Sequence, residues 1–308
     1  MKRRFQPWQL AALVIILCAG AVGLAHWWRA SRHIDATALV ECLPRDRSTH
    51  VYIDVEALRR NGLLDLVAGS SAVEAPDYRQ FVDQTGFNYR TDLDAVAAGF
   101  TGGDVYLALR GRFDWKQLAK YARGQGGKCL NAICEMPAST PDRHISFYPL
   151  KYDVLALAVT RQDRSVTMIG PGQSSNPPQL SPEPVWISMP SFAFSDVNNF
   201  PAGTHAFLSP LAQAQNIVFA IGPEGNRLQI RLDAACANPE SAAALAAQMT
   251  ATTAYLKKML ERDHMTPNAG DLSGVLVAGA FQQKDQRVVG TWPVERSFVE
   301  ALATGKAQ

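Results

Sequence analysis

Residues 96–109 have the sequence V-A-A-G-F-T-G-G-D-V-Y-L-A-L, which predicts a β-hairpin. Two apolar, β-forming runs, Val96–Phe100 and Val105–Leu109, flank Thr101-Gly102-Gly103-Asp104. Paired glycines are typical of two-residue hairpin turns, which need a positive φ angle. An antiparallel hairpin is therefore the starting point of the predicted fold.

The segments around this hairpin predict alternating strands and short helices. A short helix is expected to open at Thr91, which stands before Asp92 in the manner of an N-cap. The other expectations in the first half are a strand at Val51–Val55, a helix from Pro76 to Gln84, a helix from Asp114 to Ala122, and a strand pair at His144–Leu150 and Val154–Val159.

A similar order of elements follows later in the chain. Val185–Met189 predicts a strand, and Gly222 to Asn226 predicts the turn of a second hairpin. Asn238-Pro239-Glu240 provides a cap, a first-turn proline and an acidic residue for a helix that runs to about Arg262. Gly274–Phe281 and Arg287–Thr291 are expected to form a last hairpin, before a closing helix at 293–303.

The fold class predicted from this order is α+β, with mixed or antiparallel sheets. V-Y-I-D-V at 51–55 and V-W-I-S-M at 185–189 open two stretches with the same order of strand, hairpin, helix and hairpin. We interpret the halves as diverged copies of one unit. The predicted domains are an anchor at 1–28, a first α+β half at 29–170, a linker at 171–184 rich in proline and serine, and a second α+β half at 185–308.

The N-terminal segment predicts a transmembrane helix. Residues 5–28 contain no Lys, Arg, Asp or Glu, and 24 helical residues extend about 36 Å, enough to cross a hydrocarbon core of about 30 Å. Lys2, Arg3 and Arg4 precede the segment, so the N-terminus is expected in the cytoplasm and the body outside it. The residues expected to form the apolar span and its aromatic ends are Trp8, Leu10, Ile15, Ile16, Trp27 and Trp28.

Two alternatives to a permanent anchor remain open. Gly23-Leu24-Ala25 offers small residues at the spacing of a signal-peptide cleavage site. Cys18 is a second alternative, as a site of lipidation, although the bulky Leu17 precedes it.

The spacing of two cysteines supports a location of the body outside the cytoplasm. Cys129 and Cys134 stand in G-G-K-C-L-N-A-I-C-E-M, where Asn131-Ala132 can form a turn, so the two thiols are expected to face each other across a hairpin. In an oxidising compartment such a pair forms a disulfide. A redox-active pair is the alternative, although the usual redox spacing has two intervening residues rather than four. The sequence does not decide whether Cys42 and Cys236 pair.

The charge and the motif content of the chain argue against nucleic-acid binding and against the common catalytic sites. The chain has a net charge of +2 from 30 basic and 28 acidic residues, and this excess belongs to the leader, so a nucleic-acid partner is not expected. No common hydrolase, metalloprotease or calcium-binding motif is present. His144 is the one histidine for which an acid–base, anion-binding or zinc role comes into consideration, and a surface-exposed strand start is the interpretation that we favour. We expect no cofactor, no metal site and no catalytic residue.

The stretch 43–169 resembles uncharacterised bacterial envelope proteins with a single N-terminal membrane segment. The residues that carry the resemblance are L-P-R-D at 43–46, V-Y-I-D-V-E-A-L-R-R-N-G-L-L at 51–64, T-G-F-N-Y-R-T-D-L-D-A-V at 85–96, G-R-F-D-W at 111–115, the cysteine hairpin, and R-H-I-S-F-Y-P-L at 143–150. The resemblance implies location and architecture, and no site residues.

The function expected from the sequence is binding or scaffolding at the envelope, without catalysis. The protein is expected in the inner membrane as a single-pass protein, with the lipid bilayer and an envelope protein as its partners. Two alternatives are an envelope enzyme whose site has no sequence motif, and a sensor that acts through a membrane partner.

Overall fold

The computed structural model describes residues 36–44, 48–65, 76–171, 180–195, 204–225, 227–264, 266–268 and 270–303. The predicted anchor, with Trp8, Leu10, Ile15, Ile16, Trp27 and Trp28, lies outside the described residues, as does most of the predicted linker.

The described chain is an α+β fold built on one antiparallel sheet of twelve strands. The strands are Thr49–Asp54 (β1), Leu93–Thr101 (β2), Asp104–Gly111 (β3), Lys128–Leu130 (β4), Ile133–Pro137 (β5), His144–Lys151 (β6), Val154–Thr160 (β7), Val185–Pro190 (β8), Asn216–Glu224 (β9), Arg227–Ala235 (β10), Ala280–Lys284 (β11) and Arg287–Val294 (β12). Their spatial order is β11-β12-β10-β9-β8-β1-β2-β3-β7-β6-β5-β4.

Helices cover parts of this sheet. The α-helices are Ala36–Glu41 (α1), Val55–Arg60 (α2), Pro76–Thr85 (α3), Tyr89–Asp92 (α4), Trp115–Gly124 (α5), His205–Leu211 (α6), Pro239–Arg262 (α7), Leu272–Val277 (α8) and Arg296–Ala303 (α9). Two 3₁₀ turns, Ser165–Met168 and Ser191–Phe194, complete the set of described elements.

The two halves share one sheet, a point that the sequence left open. β1 pairs with β8 in antiparallel register, with Tyr52 opposite Trp186, and the two rings stack at 5.7 Å. Each of these strands would otherwise be the edge of its half, with unpaired backbone groups that pairing satisfies. Outward from this junction, β1-β2-β3-β7-β6 and β8-β9-β10-β12-β11 follow the same order of connection. The common ancestry of the halves stays a prediction.

The predicted hairpin forms as expected. Thr101 lies opposite Asp104 in the β2–β3 register, and both glycines between them have positive φ angles, 57° at Gly102 and 88° at Gly103. We call the end of the sheet that carries this turn the glycine-turn end.

The two faces of the sheet are packed differently. One row of paired residues runs across it through Leu107, Ala98, Val51, Ile187, Phe219 and Leu232. We call the face with this row the helix face, because α5 and α7 pack on it. The opposite face carries Tyr52, Ala108 and Asp233, and we call it the alanine face.

The helix face contains two apolar clusters. In the second half, Leu245 and Met249 of α7 pack with Leu232 and Trp292 of the sheet. In the first half, Leu118 and Ala122 of α5 pack with Phe147 and Leu155.

Part of the chain also covers the alanine face of the first half. Leu43, just after α1, lies beside Gly99, and the hydroxyl of Tyr148 donates to the carbonyl of Ile169 at 2.6 Å. Ala97, Ala108, Ala156 and Ala158 are all fully buried beneath these segments. Small side chains on this face let the covering backbone approach closely.

Two local predictions are wrong. Asn88, not Thr91, caps the short helix, and β2 already begins at Leu93. Residues 272–277 form helix α8 rather than a strand, since Asp271 caps that helix by accepting a hydrogen bond from the backbone N–H of Gly274 at 3.0 Å. A continuous apolar run does not distinguish a short buried helix from a strand by periodicity.

Candidate functional site

Six apolar side chains form a partly exposed strip across the middle of the helix face. Val51 lies opposite Ile187, and Phe100 lies opposite Val105, which is itself opposite Val159. Leu107 completes the strip, and the small Ala98 between Leu107 and Val51 is buried as its floor. We call these residues the central strip: Val51, Phe100, Val105, Leu107, Val159 and Ile187.

Along β3, the side chains of the alanine face are more buried than the aliphatic side chains of the helix face. On β3, Tyr106 and Ala108 of the alanine face are buried, whereas Val105 and Leu107 of the helix face are partly exposed. The larger aliphatic groups therefore lie on the less covered face. A row of aliphatic side chains left in contact with water marks an interaction surface more often than an isolated exposed residue does.

The strip is exposed because its half has a shorter helix. Leu107 and Leu232 lie in the same row of the sheet, yet Leu232 is fully buried in the cluster under α7. α7 has 24 residues and is about 36 Å long, whereas α5 has 10 and is about 15 Å long. α5 packs over Cys134, Phe147 and Leu155, and the apolar cluster that it forms includes none of the central-strip residues.

Two exposed phenylalanines lie toward the glycine-turn end of the sheet. Phe100 is 43% exposed and Phe192, in the 3₁₀ turn after β8, is 52% exposed. Both lie where β1 begins and β8 ends. Exposed aromatic side chains are typical anchors of protein interfaces.

A described ion pair lies at this end of the strip. Arg143 lies 4.0 Å from the carboxylate of Asp104 and donates to the carbonyl of Val159 at 3.4 Å. An apolar centre with a polar rim is the usual anatomy of a binding surface. The strip itself holds no group able to transfer a proton or attack a substrate.

The predicted disulfide is confirmed. Cys129 and Cys134 lie directly opposite each other on β4 and β5 and are bonded, with their Cα atoms 4.0 Å apart. Cys134 is buried with Leu118 and Ala122 of α5, and the sulfur of Cys129 lies 3.8 Å from the carbonyl oxygen of Ala119. This packed position fits the structural interpretation of the pair better than the redox one, because redox cysteines need access to a partner thiol.

The other two cysteines of the described chain lie on opposite faces of the sheet. Cys42 follows α1, and its thiol donates to the carbonyl of Ala38 at 3.1 Å. Cys236 is buried in the cluster under α7, and this burial raises the pKa of its thiol. The two therefore do not pair with each other, which the sequence left undecided.

His144 does not join the disulfide in a site. It lies opposite Pro137, three pairs along β5 and β6 from Cys134, and on the alanine face. Its Nδ1 is 3.8 Å from a carboxylate oxygen of Asp163. Within the described ranges, no three His, Cys, Asp or Glu side chains come together as a metal site would require.

Two tyrosines on the alanine face, one buried and one partly buried, have a structural role. Burial raises the pKa of Tyr106 and of Tyr148. The Tyr106 hydroxyl lies 3.6 Å from the sulfur of Met168. Both phenols thus help to hold the 165–170 segment on the sheet.

No helix in the part of the chain that the structure describes is both long enough and apolar enough to span a membrane.

Comparisons with known proteins give only distant structural similarity. The chain matches no protein family, and no curated protein matches it in sequence. A solved structure titled "Structure of crystal form I of TP0453" aligns over 90% of this chain and 100% of its own, with 12% identity and a TM-score of 0.46. Crystal form IV of the same protein aligns over 91% and 99%, with 14% identity and a TM-score of 0.46. Similarity at this level carries no inference about function.

Sequence reasoning missed the central strip, although one signal was present. β3 and β7 read V-Y-L-A-L and V-L-A-L-A-V, with the branched and larger aliphatic residues at alternate positions. This pattern separates a large-residue face from a small-residue face. Which of the two faces is left uncovered depends on where α1 and α5 pack.

Proposed function

We propose that this protein is a membrane-anchored envelope protein that binds a partner protein through the central strip and has no catalytic activity. The observation that carries the proposal is the row of partly exposed aliphatic side chains between two helix-covered clusters. The exposed rings of Phe100 and Phe192 add anchor groups at one end.

The proposed location rests on the sequence. An uncharged segment at 5–28 follows Lys2, Arg3 and Arg4, which favours a span with the body outside the cytoplasm. The Cys129–Cys134 disulfide supports the same location, since disulfides persist in oxidising compartments.

Site-specific photo-crosslinking in cells tests the binding surface. A photoreactive phenylalanine analogue replaces Phe100 or Phe192, and the same analogue replaces Tyr152 or Tyr255 as controls, because these tyrosines are exposed and lie outside the strip. We expect one discrete adduct from the positions of Phe100, in the strip, and Phe192, at its end, and none from the controls. Leu107→Asp in the Phe192 variant should abolish the adduct. Equal labelling at all four positions, or none at the strip positions, would rule out the strip as the binding surface.

Fractionation tests the location independently. Cells that express a C-terminally tagged chain are converted to spheroplasts, treated with external protease, and analysed with and without reductant. We expect the chain in the membrane fraction, digested from outside and shifted by reductant. A soluble, protected chain with reduced Cys129 and Cys134 would contradict the proposed location.

A further inference from the structure

We infer that two copies of this chain pair through the outer edge of β11 and extend the sheet across a twofold axis, which goes beyond the proposed function. β11, Ala280–Lys284, is the last strand on its side of the sheet. Every residue of β11 except Phe281 is exposed. An exposed strand edge carries backbone groups that another strand can bind.

The bonding pattern of β12 shows which backbone groups of β11 face outward. The N–H of Cys236 donates to the carbonyl of Gln286 at 2.8 Å, so even-numbered residues of β12 bond toward β10 and odd-numbered ones toward β11. The odd-numbered residues of β12 lie opposite the even-numbered residues of β11. The N–H and C=O groups of Phe281 and Gln283 therefore point to the open edge, and none of the described residues pairs with them.

One register satisfies all of these outward groups. When two β11 strands run antiparallel about an axis through Gln282, Phe281 of one copy lies opposite Gln283 of the other. Such a pair exchanges both of its N–H···O=C bonds, and the symmetry repeats it. An axis through Phe281 or Gln283 instead would leave some of the outward groups of β11 without a partner in the strand.

The side chains in this register favour a second copy of the chain. Lys284 lies opposite Ala280 of the second copy, and the two Lys284 side chains are separated by about 14 Å along the strands, so like charges do not meet. Residues 280–283 contain no proline and no charge, and their register with β12 has no bulge. The usual devices that protect an edge strand from pairing are therefore missing there. The other outer strand, β4, has only three residues.

The helix above this edge leaves room for a second copy. A twofold axis normal to the sheet keeps both helix faces on the same side. α7 lies over β11, where the side chain of Gln283 donates to the carbonyl of Pro239 at 2.9 Å. Ala243, Ala244 and Ala247, near the start of α7, are exposed. Their small side chains allow a second α7 to lie alongside at the usual interaxial distance of about 8–10 Å.

The proposed membrane location also favours a second copy, and this step rests on the proposed function. The same axis keeps both alanine faces on one side, so the two α1 helices, which lead into Leu43 on that face, lie on one side as two chains in one bilayer require. A pair of five-residue strands is smaller than the roughly 800 Å² per partner of a stable soluble complex. A shared membrane raises the effective concentration that so small a contact needs.

Engineered cysteines test the register on full-length chains in cell membranes. Gln282→Cys, in a Cys18→Ala background, places two thiols in a non-hydrogen-bonded pair with Cα atoms about 4.5 Å apart, within the range of a disulfide. The control is Lys284→Cys, which is also exposed but lies about 14 Å from its own symmetry mate. We expect copper phenanthroline to cross-link Gln282→Cys about tenfold faster than Lys284→Cys on a non-reducing gel.

A mixture of two variants provides the matched comparison. Chains with Ala280→Cys or Lys284→Cys should not cross-link to themselves, yet co-expressed chains that carry one each should form mixed dimers, identified by a size tag on one chain. Gln283→Pro removes an outward N–H and leaves the bonds between β11 and β12 in place. It should therefore abolish the Gln282→Cys cross-link, while circular dichroism and urea unfolding report whether the variant remains folded.

The outcomes separate this inference from the proposed function. Cross-linking of Gln282→Cys no faster than that of Lys284→Cys, or a cross-link that persists in folded Gln283→Pro, would overturn the pairing and leave the strip adduct in cells unchanged. Failure of the proposed function appears instead as loss of that adduct. If fractionation finds the chain soluble, the same cysteine variants report the pairing on the purified soluble chain.

Discussion

Leu107 and Ala108 are neighbours on β3, yet their side chains differ in burial. Ala108 is fully buried under the segments that cover the alanine face, whereas Leu107 is partly exposed on the helix face. Adjacent residues of a strand point to opposite faces. The difference in burial between Ala108 and Leu107 therefore shows that the alanine face is the more covered face at this point of β3. The larger apolar residue therefore lies on the less covered face.

The disulfide gives the first prediction. Replacing Cys129 and Cys134 together by Ala should lower the free energy of unfolding by about 2 kcal/mol, because a short cross-link restricts the unfolded chain. Urea unfolding measures the change. Reductant should destabilise the natural chain by a similar amount and leave the double variant unaffected. Equal stability of the oxidised natural chain and the variant would show that the cross-link does not stabilise the fold.

Asp271 gives a prediction about pH. Partial burial raises the pKa of its carboxyl, but hydrogen bonds from Ser273 and Gly274 lower it more, and the net pKa lies below its ordinary value. A lowered folded-state pKa contributes stability above the unfolded value of about 3.9, and this contribution is lost as the pH falls through the folded-state pKa.

The corresponding variant is Asp271→Asn, which keeps a capping side chain. The natural chain should be the more stable of the two at pH 6, and the difference in unfolding free energy should shrink by pH 2.5. Urea unfolding at both pH values measures it. A difference that stays constant across this range would mean that Asp271 does not titrate with unfolding.

At the scale of elements, helix length decides what the sheet exposes. α7 begins at a strong cap, where the side chain of Asn238 accepts a hydrogen bond from the backbone N–H of Ser241 at 2.8 Å, and it continues for 24 residues. α5 begins at an equally clear cap, Asp114, and ends after ten residues. The strip lies beside the shorter helix, so the difference between two otherwise similar connections creates the candidate site.

The cap of α7 is directly testable. Asn238→Ala should lower the free energy of unfolding by about 1 kcal/mol, because the backbone N–H of Ser241 loses its partner. Asn238→Asp is the matched control, since it keeps the acceptor and should remain close to the natural stability. Thermal or urea unfolding measures both, and equal destabilisation by the two variants would argue against the capping role.

At the scale of the whole molecule, one sheet joins the two halves. Four residue pairs connect β1 to β8, and Val55 and Leu58 of the first half share an apolar cluster with Phe207 and Leu232 of the second. Sheets with free inner edges would be prone to pair with other chains. The junction removes this risk within the molecule.

The shared sheet predicts that the halves stay together after the chain is cut. A protease site inserted between residues 175 and 176 and then cleaved should give two fragments on a denaturing gel. The same fragments should elute together on size exclusion under native conditions, because the β1–β8 ladder and the shared cluster remain. Separate elution of folded halves would show that the junction contributes little.

Most of the local structure, the disulfide and the α+β class can be predicted from the residues alone. Caps such as Asn238 and Asp114, glycine turns and strand alternation act over a few residues, so they can be recognised without knowledge of distant contacts. Three features are visible only in the folded chain: β1 pairs with β8, Cys42 and Cys236 lie on opposite faces of the sheet, and the central strip is partly exposed. These features depend on which surfaces meet across more than a hundred residues of chain, and neither periodicity nor propensity encodes which face a distant helix covers.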